Sequence, residues 1–245
     1  MPKNHRKIAA TDCSFIHKSG KKTYGIDYFY NSSRGKASKG LEISVVAIVD
    51  VDTHIGYSLS ARQTPSTQEL ENSSTADKET ESTPPQIQCQ KQKKTKKAQP
   101  KSKSEKEETR IDEYLKQLQE VQPHLPVDVK HLVCDGFYTK KKFVSGVLAL
   151  QLDVVGKLRV DADLRYLYTG TQKSRGAKRK YDGKVNLSDI SKLTFVCKVE
   201  SGVKLYTCVV YSVCLKRQIR LEHQFINQGR RLKSSCSQER ESRKS

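Results

Sequence analysis

Two aspartates stand out for what precedes them. Asp12 closes the short apolar run Ile8-Ala-Ala-Thr-Asp12, and Asp135 closes His131-Leu-Val-Cys-Asp135. Each run is β-prone, so each carboxylate is expected at the end of a strand. If those strands are neighbours, the two carboxylates repel unless they share a proton or a cation. A hard divalent ion that prefers oxygen ligands, Mg2+ or Mn2+, removes that repulsion. Two such ions about 4 Å apart activate a water or a 3′-hydroxyl and stabilise the leaving oxygen of a phosphodiester. Taken singly, an aspartate after a strand is more commonly a turn former or a helix cap. Asp50, Asp52, Asp161 and Asp163 compete for the role, and the first two read as hairpin-turn residues.

The elements that would position the pair follow from local pattern. Residues 7–61 read as strands. Leu41-Glu-Ile-Ser-Val-Val-Ala-Ile-Val49 is nearly continuous and β-branched, which predicts a strand buried on both faces. Ile55-Gly-Tyr-Ser-Leu-Ser-Ala61 alternates and is expected to pair back as a hairpin. Residues 63–108 are rich in Ser, Thr, Gln, Glu, Lys and Pro, with the basic block Lys91–Lys97, and predict a disordered surface loop. Ile111, Tyr114, Leu115 and Leu118 then form a helical stripe, opened by Thr109 with Asp112 three residues on and ended by Pro123 and Pro126. Phe143, Val144, Val147, Leu148 and Leu152 mark a second helix opened by Thr139, and Asp153–Val160 a further strand. Strands, helix, strand, helix, strand is the order of an RNase H-like α/β fold, a mixed sheet flanked by helices.

Beyond Val160 the pattern is β-rich. Leu193–Val199 and Val203–Val213 read as a hairpin, whereas residues 169–186 read as an exposed basic loop. The apolar pattern fails at about Glu222. The expected organisation is a catalytic core over 1–165, a partial β-rich insertion over 166–221 and a disordered tail over 222–245.

Charge points to the partner. The 245 residues carry a formal net charge of +19, with 35% hydrophobic and 30% charged residues. So much positive charge repels itself, and a polyanion relieves it, nucleic acid before an anionic membrane surface. No apolar run reaches the roughly 18 residues of a membrane span. Seven cysteines, an odd number without C-x-x-C spacing, fit neither a disulfide framework nor a zinc knuckle and suit a reducing cytoplasm. Lys18, Lys21 and Lys22 in one turn and Lys173, Arg175, Lys178 and Arg179 in the later loop are candidate phosphate contacts. Arg159 and Arg165 can clamp phosphates or pair with Asp161 and Asp163.

Several blocks together resemble bacterial insertion-sequence DDE transposases. Thr11-Asp-Cys-Ser-Phe-Ile, Lys18-Ser-Gly-Lys-Lys-Thr-Tyr-Gly25, Lys39-Gly-Leu-Glu-Ile-Ser44 and Arg62-Gln-Thr-Pro65 are similar to that family's first catalytic block. Val133-Cys-Asp-Gly-Phe-Tyr-Thr-Lys140 resembles the second, Lys157–Arg165 the stretch after it, and Lys216-Arg-Gln-Ile-Arg220 the start of the family's β-rich insertion. The resemblance implies an RNase H-like catalytic domain acting on transposon-end DNA, with Asp12 and Asp135 as the first two metal-binding, catalytic aspartates and a homodimer in the full-length family. The family's third carboxylate, a Glu, lies on a helix within a Tyr-x2-Arg-x3-Glu-x6-Lys signature. None of Tyr166, Tyr168, Tyr181, Tyr206 or Tyr211 leads into that spacing, and Glu200, Glu222 and Glu239 do not sit on a predicted helix. The expectation is therefore a truncated, catalytically incomplete fragment. The competing expectation is a non-catalytic, basic nucleic-acid-binding protein.

Overall fold

The computed structural model describes residues 4–20, 22–67, 109–159, 161–199, 203–225 and 233–237. The lysine-rich segment lies outside the described residues from 68 onward. Its expected first residues belong to the fold: Gln63 ends a strand, and Thr64 and Ser66 are buried.

The N-terminal quarter is four antiparallel strands, β1 (Lys7–His17), β2 (Asp27–Asn31), β3 (Lys36–Asp50) and β4 (Ile55–Gln63). β1 does not stop at Asp12 as expected. Its alternation continues through Cys13-Ser-Phe-Ile-His17, and β3 offers a partner at every position from Asp50 opposite Lys7 to Gly40 opposite His17. β3 is longer than expected and is not buried on both faces. Ser38, Gly40, Ser44, Val46, Ile48 and Asp50 are buried, whereas Ile43, Val45, Ala47 and Val49 between them are half-buried. Only the first of these faces carries helices. β4 pairs back on β3, as its alternation predicts. β2 is an added edge strand, with Phe29 fully buried between exposed Tyr28 and Tyr30.

Helix α1 (Arg110–Val121) buries Ile111, Tyr114, Leu118 and Val121, the predicted stripe extended by one turn. The Asp112 carboxylate accepts from the Thr109 backbone N–H and hydroxyl, both at 2.8 Å, which secures the helix start. Gln117, polar yet buried, sits on the same stripe because all its bonds are made. Its Oε1 accepts from Ser44 Oγ at 2.7 Å, and its amide donates to Ser44 O at 3.2 Å and Ser60 Oγ at 3.0 Å. Helix α2 (Lys141–Ala149) buries Phe143, Val144 and Val147. It meets α1 at Gly146, where a β-carbon would stand 2.5 Å from a Leu115 methyl, so a larger residue there would require the Leu115 side chain to shift. Thr139 does not cap α2. Its hydroxyl donates to Gly136 O at 2.8 Å, inside the turn that follows Asp135.

β5 (His131–Cys134) and β6 (Asp153–Lys157) run parallel to β1 and to each other, joined through α2. The later strands are β7 (Leu164–Leu167), β8 (Tyr181–Lys184), β9 (Thr194–Lys198), β10 (Lys204–Ser212), β11 (Arg217–Phe225) and β12 (Lys233–Ser237). The strand order is β2-β3-β1-β5-β6-β12-β11-β10-β7-β8, with β4 on β3 and β9 on β10. Two readings of the later chain are corrected. The expected basic loop over 169–186 contains β8, and the expected disordered tail from Glu222 begins inside β11, whose residues Leu221 and His223 are fully buried. Residues 233–237 form a strand between β11 and β6; 226–232 and 238–245 lie outside the described residues. Leu164, Val210, Leu215, Ile219 and Leu221 share one apolar core with Leu132, Phe143 and Val154. Among the described residues no helix is long and apolar enough to cross a membrane.

Candidate active site

The parallel pairing of β1 with β5 decides whether the two aspartates meet. Ala9 faces Leu132, Ala10 faces Val133 and Thr11 faces Cys134. One residue further along each chain stand Asp12 and Asp135. Thr11 and Cys134 are buried, alternation along β1 turns Asp12 away from them, and both Asp12 and Asp135 are exposed. Adjacent strands lie about 4.8 Å apart, so the two aspartates stand at neighbouring positions across the β1–β5 pairing. Both line a cavity of about 580 Å³.

Their bonding differs from that of most aspartates among the described residues. Asp12 Oδ1 accepts its neighbour's N–H, from Cys13, at 2.8 Å, and Asp135 Oδ1 accepts the Phe137 N–H at 2.9 Å. Neither carboxylate forms an ion pair among the described residues, in a chain of net charge +19. Asp27, Asp52, Asp112, Asp128, Asp161, Asp163 and Asp182 each hold a lysine or arginine.

A buried cluster braces the pair from behind. Tyr138, three residues after Asp135, is 1% exposed, and its hydroxyl lies 2.7 Å from the Cys13 thiol, beside Asp12. Its ring packs on Tyr114 and Phe137 at 5.4 Å each and on Phe143 at 4.9 Å between centroids. Tyr114 donates its hydroxyl to Glu42 Oε1 at 2.6 Å. Burial pushes the Cys13 thiol up to about 11 and raises both tyrosines further, so these groups stay neutral and act by hydrogen bonding and packing. The bond from Cys13 to Tyr138 links β1 directly to the turn that carries Asp135.

Glu42, also on the cavity wall, escaped the reading of the sequence. It reaches the site because β3 sets it opposite Phe15 of β1, a register that no local pattern announces. Its carboxylate is engaged by Tyr114, and it does not complete a group of three with the aspartates. Among the described residues the one group of three potential ligands within mutual reach is His5, Asp50 and Asp52, at the far end of the β1–β3 pairing. There Asp50 accepts from His5 Nδ1 at 2.7 Å and from the N–H groups of Asp52 at 3.1 Å and Thr53 at 3.2 Å. Asp52 accepts from the Arg6 N–H at 2.7 Å and its guanidinium at 2.6 and 3.0 Å. Burial raises the Asp50 carboxyl, but these donors outweigh it and hold it at about 2. Both side chains serve as hairpin-turn residues, as their position suggests.

The basic candidates divide. Lys18 and Lys22 are exposed in the turn after β1; Lys21 lies outside the described residues. Arg159 and Lys157 line a second recess that shares Asp135 with the first, but the Arg159 guanidinium is held by Asp161 through two bonds of 2.9 Å. Arg165 likewise bonds Asp163 at 3.2 Å. Lys173, Arg175, Lys178 and Arg179 are exposed between β7 and β8, at the opposite end of the strand order from β1. Arg179 is committed locally, to Asp182 at 2.8 Å and Tyr181 O at 3.1 Å. The structure therefore does not bring that loop to the carboxylates.

A mixed sheet with parallel central strands, helices on its face and a carboxylate pair at neighbouring strands is compatible with the RNase H-like fold, the fold expected from the order of elements. A model of the DDE superfamily endonucleases matches residues 1–205, and the chain belongs to that family. Such proteins carry out transposase- or nuclease-type reactions on DNA and generally use divalent metal ions. No curated protein matches the chain.

Proposed function

We propose that Asp12 and Asp135 hold a divalent cation, Mg2+ or Mn2+, and that the chain is the catalytic core of an insertion-sequence DDE transposase acting on transposon-end DNA. The observation that carries this reading is the pair of neighbouring, exposed carboxylates that have no ion-pair partner among the described residues of a strongly basic chain. The donor set fits: oxygen ligands only, each aspartate fixed through one oxygen by a backbone N–H and free at the other. When bound there, the ion supplies a lowered pKa for an attacking water or hydroxyl and stabilisation of the leaving oxygen. The protein's share is position. Tyr138 and Cys13 fix the separation of the two strands, and nearby basic side chains offset phosphate charge.

No third carboxylate joins the pair among the described residues, so the chain is proposed to be catalytically incomplete alone. It is expected to bind the ion without catalysing strand transfer. Iron(II) with ascorbate, which cuts the polypeptide where the ion sits, tests the first half. Cuts are expected near residues 12 and 135 and should vanish in the Asp12→Asn, Asp135→Asn double variant. Cuts confined to the Asp50 turn overturn the assignment. Nicking of a terminal inverted repeat in Mg2+ by the chain alone would overturn the incompleteness. Under the alternative, a non-catalytic basic DNA binder, neither the cuts nor metal-dependent DNA binding would change in the double variant.

A further inference from the structure

An unpaired sheet margin offers backbone donors and acceptors to any strand that meets it, so margins are normally short, charged or bent. Among the described residues, β2, β8 and β9 follow that rule. β2 has five residues and opens with Asp27, held by Arg110 at 2.9 Å. β8 has four, carries Asp182 and Lys184, and bends at Gly183, where φ is +91°. β9 has five and closes with Lys198. β4 breaks the rule. It is nine residues long, pairs only with β3 among the described residues, and carries no charge from Ile55 to Ala61. Ile55, Tyr57 and Leu59 are 48%, 43% and 39% exposed, and Leu59 has no partner on β3. The first charge along the strand, Arg62, is answered within the chain by Glu120 at 3.0 Å.

A strand that fits this margin must be β-prone, apolar on alternate residues and free of charge. β4 itself meets those conditions. Two copies of a chain with net charge +19 repel each other, and contact between them is least opposed where both surfaces are uncharged. We propose that β4 pairs antiparallel with β4 of a second copy about a two-fold axis at Ser58, joining two sheets into one. That register sets Tyr57 of one copy opposite Leu59 of the other and Ile55 opposite Ala61, aromatic and aliphatic pairs that stabilise a ladder. It also sets each Arg62 opposite a His54, whereas a parallel pairing would stack Arg62 on Arg62. The axis runs perpendicular to the joined sheet, so the Asp12 side chains of both copies open on one face of it. Nine paired residues span about 30 Å. Such a ladder buries less than the roughly 1,600 Å² of a standard interface, so the association is weak and concentration-dependent.

The test is analytical ultracentrifugation of the full chain, free of nucleic acid, across a concentration series at two ionic strengths. The wild type is expected to show a monomer–dimer equilibrium that tightens at least about tenfold between about 0.1 and about 1 M salt, as the Debye length falls from about 10 to about 3 Å and repulsion is screened. An association driven by opposite charges would weaken instead. Ser58→Lys should leave the protein monomeric, because like charges directly opposite each other destabilise a strand pair. Ser58→Asp should do the same although it lowers the net charge, which separates the local pairing from overall repulsion. Ser58→Cys, close in size to the wild type, should form a disulfide between copies at position 58 on mild oxidation, located by mass spectrometry. A dimer that persists in Ser58→Lys and Ser58→Asp overturns the proposal, as does a dimer of Ser58→Cys with no bridge at that position. A wild type that stays monomeric at every concentration and salt leaves the margin to a strand of another protein and overturns it too.

Discussion

The long pairing of β1 with β3 carries acidic groups at one end and at its middle, and the two places are built in opposite ways. At one, Asp50 and Asp52 are saturated by His5, Arg6 and turn N–H groups. At the other, Asp12, with Asp135 beside it on β5, keeps one oxygen free and no ion pair among the described residues. A saturated carboxylate stabilises the chain and has nothing left to offer a ligand. An unsaturated pair costs stability through repulsion and retains its binding capacity. Proximity of acidic groups alone would have selected the Asp50 turn.

The contrast is broken most directly by exchanging losses between the two acidic groups. Asp12→Asn or Asp135→Asn should weaken Mn2+ binding by at least about 100-fold, beyond the range of outer-shell changes, with an unchanged or raised melting temperature. Asp50→Asn should do the reverse, lowering the melting temperature and leaving Mn2+ titration by calorimetry unaltered. If Asp50→Asn removes metal binding, the two acidic groups have been misread. Next in size is the brace behind the pair. Tyr138→Ala should cost about 3–5 kcal/mol in urea unfolding, as a large core ring is lost. Tyr138→Phe, which removes only the bond to Cys13, should cost about 1 kcal/mol and still loosen Mn2+ affinity. Equal Mn2+ affinity in Tyr138→Phe and wild type would deny the bond any part in spacing the aspartates.

A smaller effect concerns His223 on β11, fully buried with neither ring nitrogen hydrogen-bonded among the described residues. Burial holds its pKa below the ordinary value. The unfolded chain then takes up the proton more readily, so stability is full above about pH 6.5 and declines as pH falls below it, levelling only beneath the folded pKa. Melting temperatures between neutral and mildly acid pH should show that decline, and His223→Leu should flatten it. Smallest is thiol reactivity. Cys13, raised by burial, should alkylate far more slowly at neutral pH than exposed Cys197 and Cys214, as mass spectrometry of the labelled sites would show.

What the sequence made readable was local. The stripe of α1, the Thr109–Asp112 cap and the β3–β4 hairpin rest on neighbours a few residues apart, and all three formed. The element order suggested strands that could carry Asp12 and Asp135 side by side, and the parallel pairing of β1 with β5 makes those strands neighbours. What stayed hidden was set by distant pairing. Glu42 enters the cavity through strand register, and Gln117 is buried because Ser44 and Ser60 happen to face it. β2 was overlooked although Asp27-Tyr-Phe-Tyr-Asn31 alternates, because its aromatic residues point both inward and outward. The end of the chain was misjudged since Glu222-His-Gln looks polar, and only pairing with β10 on one side and β12 on the other makes it a strand interior.

That last strand has a consequence for how the protein is made. β12 alone connects β6 to β11, so the sheet's two halves are stitched together by residues 233–237, which are synthesised after every other described strand. Until they emerge, β6 and β11 each present an open hydrogen-bonding border that can recruit a second nascent chain. Messages that terminate shortly before codon 233 should therefore yield aggregates rather than a smaller working domain.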